Sequence, residues 1–481
     1  MITAVARRRQ HRVSALGLSA GVAVAATAVF LLVSRALIDD AYITMAYARN
    51  LAFHLHWGLL ADETANSATS PLNVIALGAI TAVVRNAVVA VGVLFVVAAV
   101  LAARWLADLA AETRLSGALP VVAVGSLLVN PLLLSTVGLE PYLTAALFAG
   151  LLRYGVARRA VAFGVVAGLT VLARPDTGVV VIVVALVLRP RLLRAFAAAL
   201  AVTLPWYVVS WVVLGSALPD TLVMKVGDAW SSYGFWNGPL LYLAVYPAAT
   251  VLAFLPVLLG LAALVGLLVV RLRAAWEPWQ RAAGAAGLAG LGHYGVYGLL
   301  HTAPYHWYYA PLIVGTTLCA AIVAVRVRWA VAVAAGVACA ALVVDLQHGV
   351  PWARAVISTN WATAAEYERM GADVHRIVGT GAVESPGEIG TLAYYCDCTI
   401  VDAFSDRGRV IGAIEAREQA GGLGAALLRL NYAHLNRDQG PRPVDYRLRY
   451  QARMPAVGPL QWPVDHWVDG PGRIELLPGP A

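Results

Sequence analysis

Charge is what this 481-residue sequence is short of: 13% of its residues are Asp, Glu, Lys or Arg, against 60% hydrophobic. A water-soluble domain carries about 25% charged residues and about 45–50% apolar ones, so an ordinary soluble enzyme is excluded, and so is a disordered chain. Cysteine is scarce, at four residues, which excludes a disulfide scaffold. Two of them, Cys396 and Cys398, stand near each other in a polar stretch; two thiols are too few for a zinc site, and their redox state is left open. Lysine is nearly absent. Of 35 basic residues only Lys225 is not arginine. No basic stripe with interleaved aromatics exists, so nucleic acid is not a partner despite a net charge of +8.

Long, almost uncharged apolar runs are present instead, the mark of a polytopic α-helical membrane protein. Eleven spans are expected, at about 14–34, 87–105, 119–137, 142–156, 160–172, 178–188, 195–214, 240–270, 282–300, 307–325 and 329–344. Pro71 to Val84 reads as a partial helix leading into the second span. Arginines cluster in alternate loops. Seventeen, from Arg7 to Arg328, fall in segments placed inside, against Arg35, Arg49, Arg174 and Lys225 outside. By the positive-inside rule the amino terminus is then cytoplasmic and the carboxyl terminus extracytoplasmic, in a cytoplasmic (inner) membrane. Residues 1–346 form the membrane module, and 347–481 a polar extracytoplasmic α/β domain. Short strands are expected at Arg376–Thr380, Leu392–Tyr395 and Thr399–Val401, and helices at Glu366–Asp373 and Arg409–Gln419.

The loops placed outside hold the candidate chemistry. Asp39-Asp40 opens an amphipathic segment with Tyr42, Ile43, Tyr47 and Leu51 at near-helical spacing. Two adjacent carboxylates either bind a cation or push one pKa up for base work; the plainer alternative is a solvated helix start. Glu140 stands alone in a short turn between apolar spans, and Arg174-Pro175-Asp176 at another junction. Charges at that depth are usually functional or paired, so a structural Arg174–Asp176 ion pair is the alternative. Lys225, a compact point charge, suits a phosphate. The run His301–Tyr309 contains His306 within an aromatic belt. Together these groups suit transfer from a lipid phosphate carrier: a base for the acceptor hydroxyl, a cation for the departing phosphate, and a bilayer for the tail.

The segment Ile38-Asp39-Asp40-Ala41-Tyr42-Ile43-Thr44, followed by Tyr47-Ala48-Arg49-Asn50, resembles the opening loop of GT-C membrane glycosyltransferases, and most of all the terminal arabinofuranosyltransferase type. Thr69-Ser70-Pro71-Leu72, Gly138-Leu139-Glu140, Arg174-Pro175-Asp176, Pro219-Asp220-Thr221 with Lys225, Gly387-Glu388-Ile389-Gly390 and Ile400-Val401-Asp402 follow in the same order. The chain departs from that family between Asn50 and Thr69, where His54-Leu55-His56-Trp57-Gly58 and Asp62-Glu63-Thr64 replace a Gly-rich turn. The resemblance implies an inverting transfer from a polyprenyl-phosphate sugar, with arabinofuranose the first choice, to a cell-wall polysaccharide. It implies Asp39 as base and Asp40 in support. Glu140, Arg174, Asp176, Lys225, Tyr42 and His306 would bind substrate, with Asp40 and Glu140 as ligands if a divalent cation takes part. A polyprenyl-phospho-mannose transferase and a lipid-linked sugar flippase are the alternatives. A flippase needs polar groups along a path through the bilayer, whereas these spans are clean Ala, Val and Leu.

Overall fold

The computed structural model describes residues 2–225 and 233–479. The membrane module is helical: α1 (Ile2–Val33), α2 (Asp39–His54), α3 (Pro71–Val84), α4 (Ala87–Thr113), α5 (Leu119–Leu128), α6 (Pro131–Leu134), α7 (Pro141–Val156), α8 (Ala160–Ala173), α9 (Gly178–Leu188), α10 (Leu192–Val213), α11 (Thr221–Lys225), α12 (Gly238–Val245), α13 (Pro247–Arg273), α14 (Pro278–Leu299), α15 (Ala310–Ala324) and α16 (Arg328–Gln347). Among the described residues, six helices are long and apolar enough to cross a membrane: Ala15–Val33, Ala87–Thr113, Leu192–Val213, Pro247–Arg273, His306–Ala324 and Arg328–Gln347. Shorter apolar helices accompany them at Pro71–Val84, Leu119–Leu128, Ala160–Ala173 and Pro175–Leu188. Leu193, Val213 and Leu272 point outward and are well exposed, a placement that hydrocarbon does not penalise.

Two expected spans are interrupted. The run 119–137 breaks after Leu128, because Asn130 turns its side chain to accept from Leu133 N at 3.2 Å and donates to Ala253 O at 3.0 Å, while Pro131 starts a new turn. The run 240–270 breaks at Tyr246, with Pro247 opening α13. α1 and α4 run antiparallel: Gly92 lies against the Phe30 ring and Arg104 reaches Ser19 Oγ at 3.4 Å. The end of α1 therefore lies beside the start of α4, and α2 and α3 pack together at this end of the bundle.

Chain returns across that same end after α16. Trp352 N donates to Leu32 O at 2.8 Å, and Ile357 N to Ser135 Oγ at 3.0 Å. The tail then forms α17 (Ala364–Val378), α18 (Gly390–Tyr395), α19 (Arg407–Gln419) and α20 (Gly422–Asn431). Its strands are β1 (Ala382–Glu384), β2 (Thr399–Val401), β3 (Tyr446–Ala452), β4 (Gln461–His466) and β5 (Gly470–Pro478). The sheet order is β2-β1-β3-β5-β4, parallel from β2 to β3 and antiparallel beyond. Two expected strands are helix instead. Residues 376–378 finish α17, whose Thr363–Glu366 capping box fixes its start, and Leu392–Tyr395 belongs to α18. Cys396 and Cys398, at the end of α18, are joined by a disulfide.

Candidate active site

The two adjacent carboxylates at the start of α2 have different surroundings. Asp39 is buried, and its carboxylate accepts three backbone N–H bonds from the first residues of α18: Ile389 at 3.1 Å and Gly390 at 2.9 Å on Oδ2, Thr391 at 2.7 Å on Oδ1. A carboxylate at a helix amino terminus satisfies donors that have no partner within the helix. Arg49, near the other end of α2, donates to Tyr394 O at 2.8 Å and lies over the Tyr394 ring. One helix of the first loop thus holds both ends of α18. Gly390 is required there, since a Cβ would run into the Asp39 carbonyl. Burial pushes the Asp39 carboxyl above the usual range, with the Thr391 bond pulling the other way and the Asp40 charge adding to the rise. Both residues border the same cavity, where Asp40 Oδ1 lies 3.7 Å from Lys225 Nζ.

Three connected chambers meet at Lys225. The first, about 310 Å³, has Asp39, Asp40, Lys225, Asn360, Trp361, Glu388 and Trp467 in its wall. The second, about 50 Å³, lies between Asp40 and Lys225 on one side and Glu140, Arg174 and Tyr308 on the other. The third, about 180 Å³, carries Arg174, Asp176 and Lys225 at a wall that includes Leu218, Pro219, Tyr297 and Leu300 together with Thr69, Thr221 and Thr302. A separate apolar cavity of about 230 Å³ between α5, α13, α15 and α16 shares no residue with these and has no charged wall.

Lys225, the last residue of α11, sits in an aromatic cage, its Nζ 4.7 Å from the Tyr305 ring centroid, 5.4 Å from Phe404 and 5.8 Å from Trp307. Burial works against its charge, but Tyr308 and Asp40 outweigh it and hold the ammonium above the usual lysine range. Arg174 forms the ion pair with Asp176 that the sequence left as an alternative, Nε to Oδ1 at 2.7 Å, and two further bonds: Nη1 to Glu140 Oε1 at 2.7 Å and Nη2 to Tyr297 Oη at 2.9 Å. His293 Nε2 and Tyr297 Oη each lie 2.7 Å from Asp176 Oδ2. The loop leading to Lys225 is fixed by a residue the sequence did not flag. Arg407 of α19 is buried with Asp220, Nε to Oδ2 at 2.9 Å, and also donates to Ser216 Oγ at 3.0 Å and to Leu214 O. Asn66 closes the network on Ser210 and Ser216.

Two expected substrate residues lie off the chambers. Tyr42 is buried between the Tyr394 and Tyr395 rings and serves the contact with α18. His306 is fully buried against Tyr242 and Trp307, while its neighbours Tyr305, Trp307 and Tyr308 line the cavities. Asp40 and Glu140, the expected ligands if a divalent cation takes part, line the same chamber. Each already faces a fixed cation, and among the described residues no group of three or more His, Cys, Asp or Glu is placed to hold an ion. Asn360, Trp361, Glu388 and Phe404 enter the site from the tail, some 320–365 positions after Asp40, at a distance no local pattern reports.

Sequence comparison with protein-family models and with curated proteins finds no match. Solved structures do match in shape. ArnT from Cupriavidus metallidurans, determined with undecaprenyl phosphate, is 13% identical with a TM-score of 0.58 over 95% of this chain and 97% of its own. The oligosaccharyltransferase of Archaeoglobus fulgidus in its apo form is 12% identical with a TM-score of 0.56, over 91% of this chain and 69% of its own. The archaeal oligosaccharyltransferase AglB from Archaeoglobus fulgidus, in complex with an inhibitory peptide and a dolichol-phosphate, is 13% identical with a TM-score of 0.55, over 92% of this chain and 70% of its own. At these identities the likeness is one of fold: the chain shares the overall fold of these solved structures.

Proposed function

We propose that the protein is an inverting membrane glycosyltransferase that moves a sugar from a polyprenyl-phosphate carrier to a hydroxyl of a cell-wall glycan. The observation that carries this reading is the meeting of three chambers at Lys225, with a cavity-facing carboxylate on one side and a largely apolar groove on the other. The groove suits the first isoprene units of a lipid, and Lys225 and Arg174 at its head suit the phosphate. That two proteins of this fold were determined with undecaprenyl phosphate and dolichol-phosphate supports such a carrier. Asp40 is assigned as general base in place of Asp39, because three N–H bonds already occupy the Asp39 carboxylate at the cavity wall, whereas Asp40 beside it accepts none among the described residues. The acceptor oxygen attacks the anomeric carbon opposite the phosphate. Its proton passes to Asp40 as the carbon–phosphate-oxygen bond breaks, and polyprenyl phosphate leaves with its charge facing Lys225.

Finer assignments belong to the same reading. Arabinofuranose is the first choice of sugar, on the likeness of the Asp39–Asn50 segment to terminal arabinofuranosyltransferases. Eleven crossings are inferred, with residues 1–346 as membrane module and the site and the 347–481 domain on the outer face of the cytoplasmic membrane, on the arginine distribution. The test is transfer by purified protein in lipid nanodiscs, using a panel of polyprenyl-phosphate pentoses and hexoses with oligosaccharide acceptors. Transfer of a pentofuranose is expected; transfer of mannose moves the sugar assignment, and transfer of none ends the reading.

A further inference from the structure

The 310 Å³ chamber, which borders both Asp40 and Lys225, is asymmetric in composition. The membrane module gives it Asp40, Lys225 and Tyr305, while the tail gives it Asn360, Trp361, Glu388 and Trp467. The tail side carries no arginine or lysine. It offers indole faces beside a carboxylate and an amide, which is what a cyclic polyol needs: carbon–hydrogen faces lie on aromatic rings, and hydroxyl pairs are fixed by planar acceptors and donors.

Both halves of this wall are held in place before any ligand arrives. Glu388 accepts from Asn360 Nδ2 at 2.7 Å on Oε1, and from Trp361 N at 3.0 Å and Tyr367 Oη at 2.6 Å on Oε2. Oε1 keeps a lone pair for a further donor. Asn360 also accepts the Asp39 N–H at 3.3 Å, so the clamp is tied to the helix that bears Asp40. The Trp361 ring leans on Tyr450 and His466, with centroids 5.2 and 5.9 Å away. Behind it Gly387 has a φ of 131°, and a Cβ there would meet the indole at 2.5 Å, so that residue leaves room for this ring position. Such preorganisation lowers the ordering cost of binding.

We propose that this chamber is the acceptor subsite, in which Trp361 stacks on the terminal sugar of an uncharged glycan and Glu388 with Asn360 binds a hydroxyl pair, aiming a third hydroxyl at Asp40. The tail wall of the chamber offers no cation to an anionic sugar at this position. The volume lies at the small end of ligand pockets and accommodates about one or two rings. Trp361, Glu388 and Asn360 are then specificity-determining residues contributed by the tail. The inference rests on the glycosyl-transfer reading for its name, but not for its binding test.

Steady-state transfer is measured for wild type, Trp361→Ala and Glu388→Gln with linear arabinofuranosyl and mannosyl oligosaccharides and one uronic-acid oligosaccharide. Trp361→Ala should raise the acceptor KM about tenfold or more while the donor KM stays within about twofold, as expected for a lost stacking contact. Glu388→Gln should alter the ranking of the neutral acceptors, and the uronic-acid chain should be the poorest for wild type. A rise in the donor KM instead, or unchanged kinetics in both variants, overturns the assignment. If Trp361→Ala does not fold, Trp361→Phe takes its place, with a smaller rise in the acceptor KM expected. Should wild type transfer no sugar at all, quenching of tryptophan fluorescence by the same oligosaccharides still decides the matter. Saturable binding that Trp361→Ala weakens upholds the subsite while the transferase reading falls, and no saturable binding ends it.

Discussion

Asp39→Asn and Asp40→Asn are nearly isosteric changes at neighbouring positions, and the structure separates their consequences. The Asp39 carboxylate accepts three N–H bonds of 2.7, 2.9 and 3.1 Å at the start of α18. An amide in the same place keeps one oxygen and turns an NH2 group toward at least one backbone N–H, setting donor against donor. A hydrogen bond to a charged acceptor contributes about 1.5–3 kcal/mol net, and the lost charge at a helix amino terminus about 0.3–1 kcal/mol more. Asp39→Asn should therefore cost about 2–4 kcal/mol, a large part of a total stability of about 5–15 kcal/mol. The cost falls on the contact between the first loop and the tail. Among the described residues Asp40 is paired with Lys225, at 3.7 Å and with its side chain 27% exposed, and partly exposed pairs of that kind contribute about 0–1 kcal/mol. Asp40→Asn should leave stability close to wild type while lowering kcat about 10²–10⁴-fold, the usual contribution of a general base. The assay pairs thermal unfolding in detergent, followed by tryptophan fluorescence, with transfer rates on the same preparations. Wild-type transfer by Asp40→Asn refutes the reasoning. So does an Asp39→Asn protein that unfolds like wild type and is inactive, which would return the base to Asp39.

Lys225→Ala should lower kcat/KM for the lipid donor about 10²–10³-fold, as for removal of a group aimed at developing charge, with the acceptor KM unchanged in a two-substrate analysis. Arg407→Ala leaves Asp220 buried without its cation and should cost about 3–5 kcal/mol in unfolding experiments; Arg407→Lys should recover only part, because it cannot reproduce the fork onto Asp220, Ser216 and Leu214. Gly390→Ala should lower the unfolding temperature, since the new Cβ meets rigid backbone at Asp39 rather than a flexible side chain. Burial, with the Asp39 charge adding to it, pushes Glu388 up to about 8. The folded state then keeps a proton that the unfolded chain has already lost, so stability should fall as pH rises from the ordinary glutamate range through about 8; Glu388→Gln should flatten that slope in a pH series of unfolding temperatures.

How much of this was legible follows from the range of each signal. The arginine clusters and apolar runs report the membrane module directly, because the bilayer acts on each segment separately. The Asn130-Pro131 and Tyr246-Pro247 breaks were local too, but a run of apolar residues masks them in a window of span length. In the tail, Tyr446-Arg447-Leu448-Arg449-Tyr450 alternates with period two, and Gly470, with a φ of 72°, opens β5 after the turn; this pattern could have found the antiparallel half of the sheet. α18 could not be found that way. Gly390–Tyr395 lacks a cap of its own, and its donors are satisfied by Asp39, 351 positions earlier than Gly390. Arg407 and Trp361 are invisible for the same reason: their partners are set by how the tail docks, not by any neighbour in sequence. The paired carboxylates and the single lysine were noticed because they are anomalous by type. Which of Asp39 and Asp40 has its carboxylate taken up by α18 depends on the three-dimensional contact.

The two cations of the site have different roles on electrostatic grounds. Arg174 is bonded to Glu140 and Asp176 and also donates to Tyr297, so its charge is already more than balanced before a substrate enters. It can orient a phosphate with the N–H groups it has left, but it adds little net attraction. Among the described residues Lys225 has one carboxylate partner, Asp40, at 3.7 Å. At an effective dielectric of about 20 the gross attraction between those charges is about 4 kcal/mol. When Asp40 takes the proton of the acceptor hydroxyl, that attraction disappears, and the ammonium is left to face the departing phosphate at the step where negative charge develops there. Base and phosphate cation are thus coupled through one ion pair. On this account Lys225→Arg should retain donor binding yet lower kcat, because a guanidinium is too large for the cage of Tyr305, Trp307 and Phe404 and cannot meet both Asp40 and phosphate as a point charge does. Donor affinity and single-turnover rate measured together check it, and a Lys225→Arg protein with wild-type single-turnover rate would show that only the sign of the charge matters.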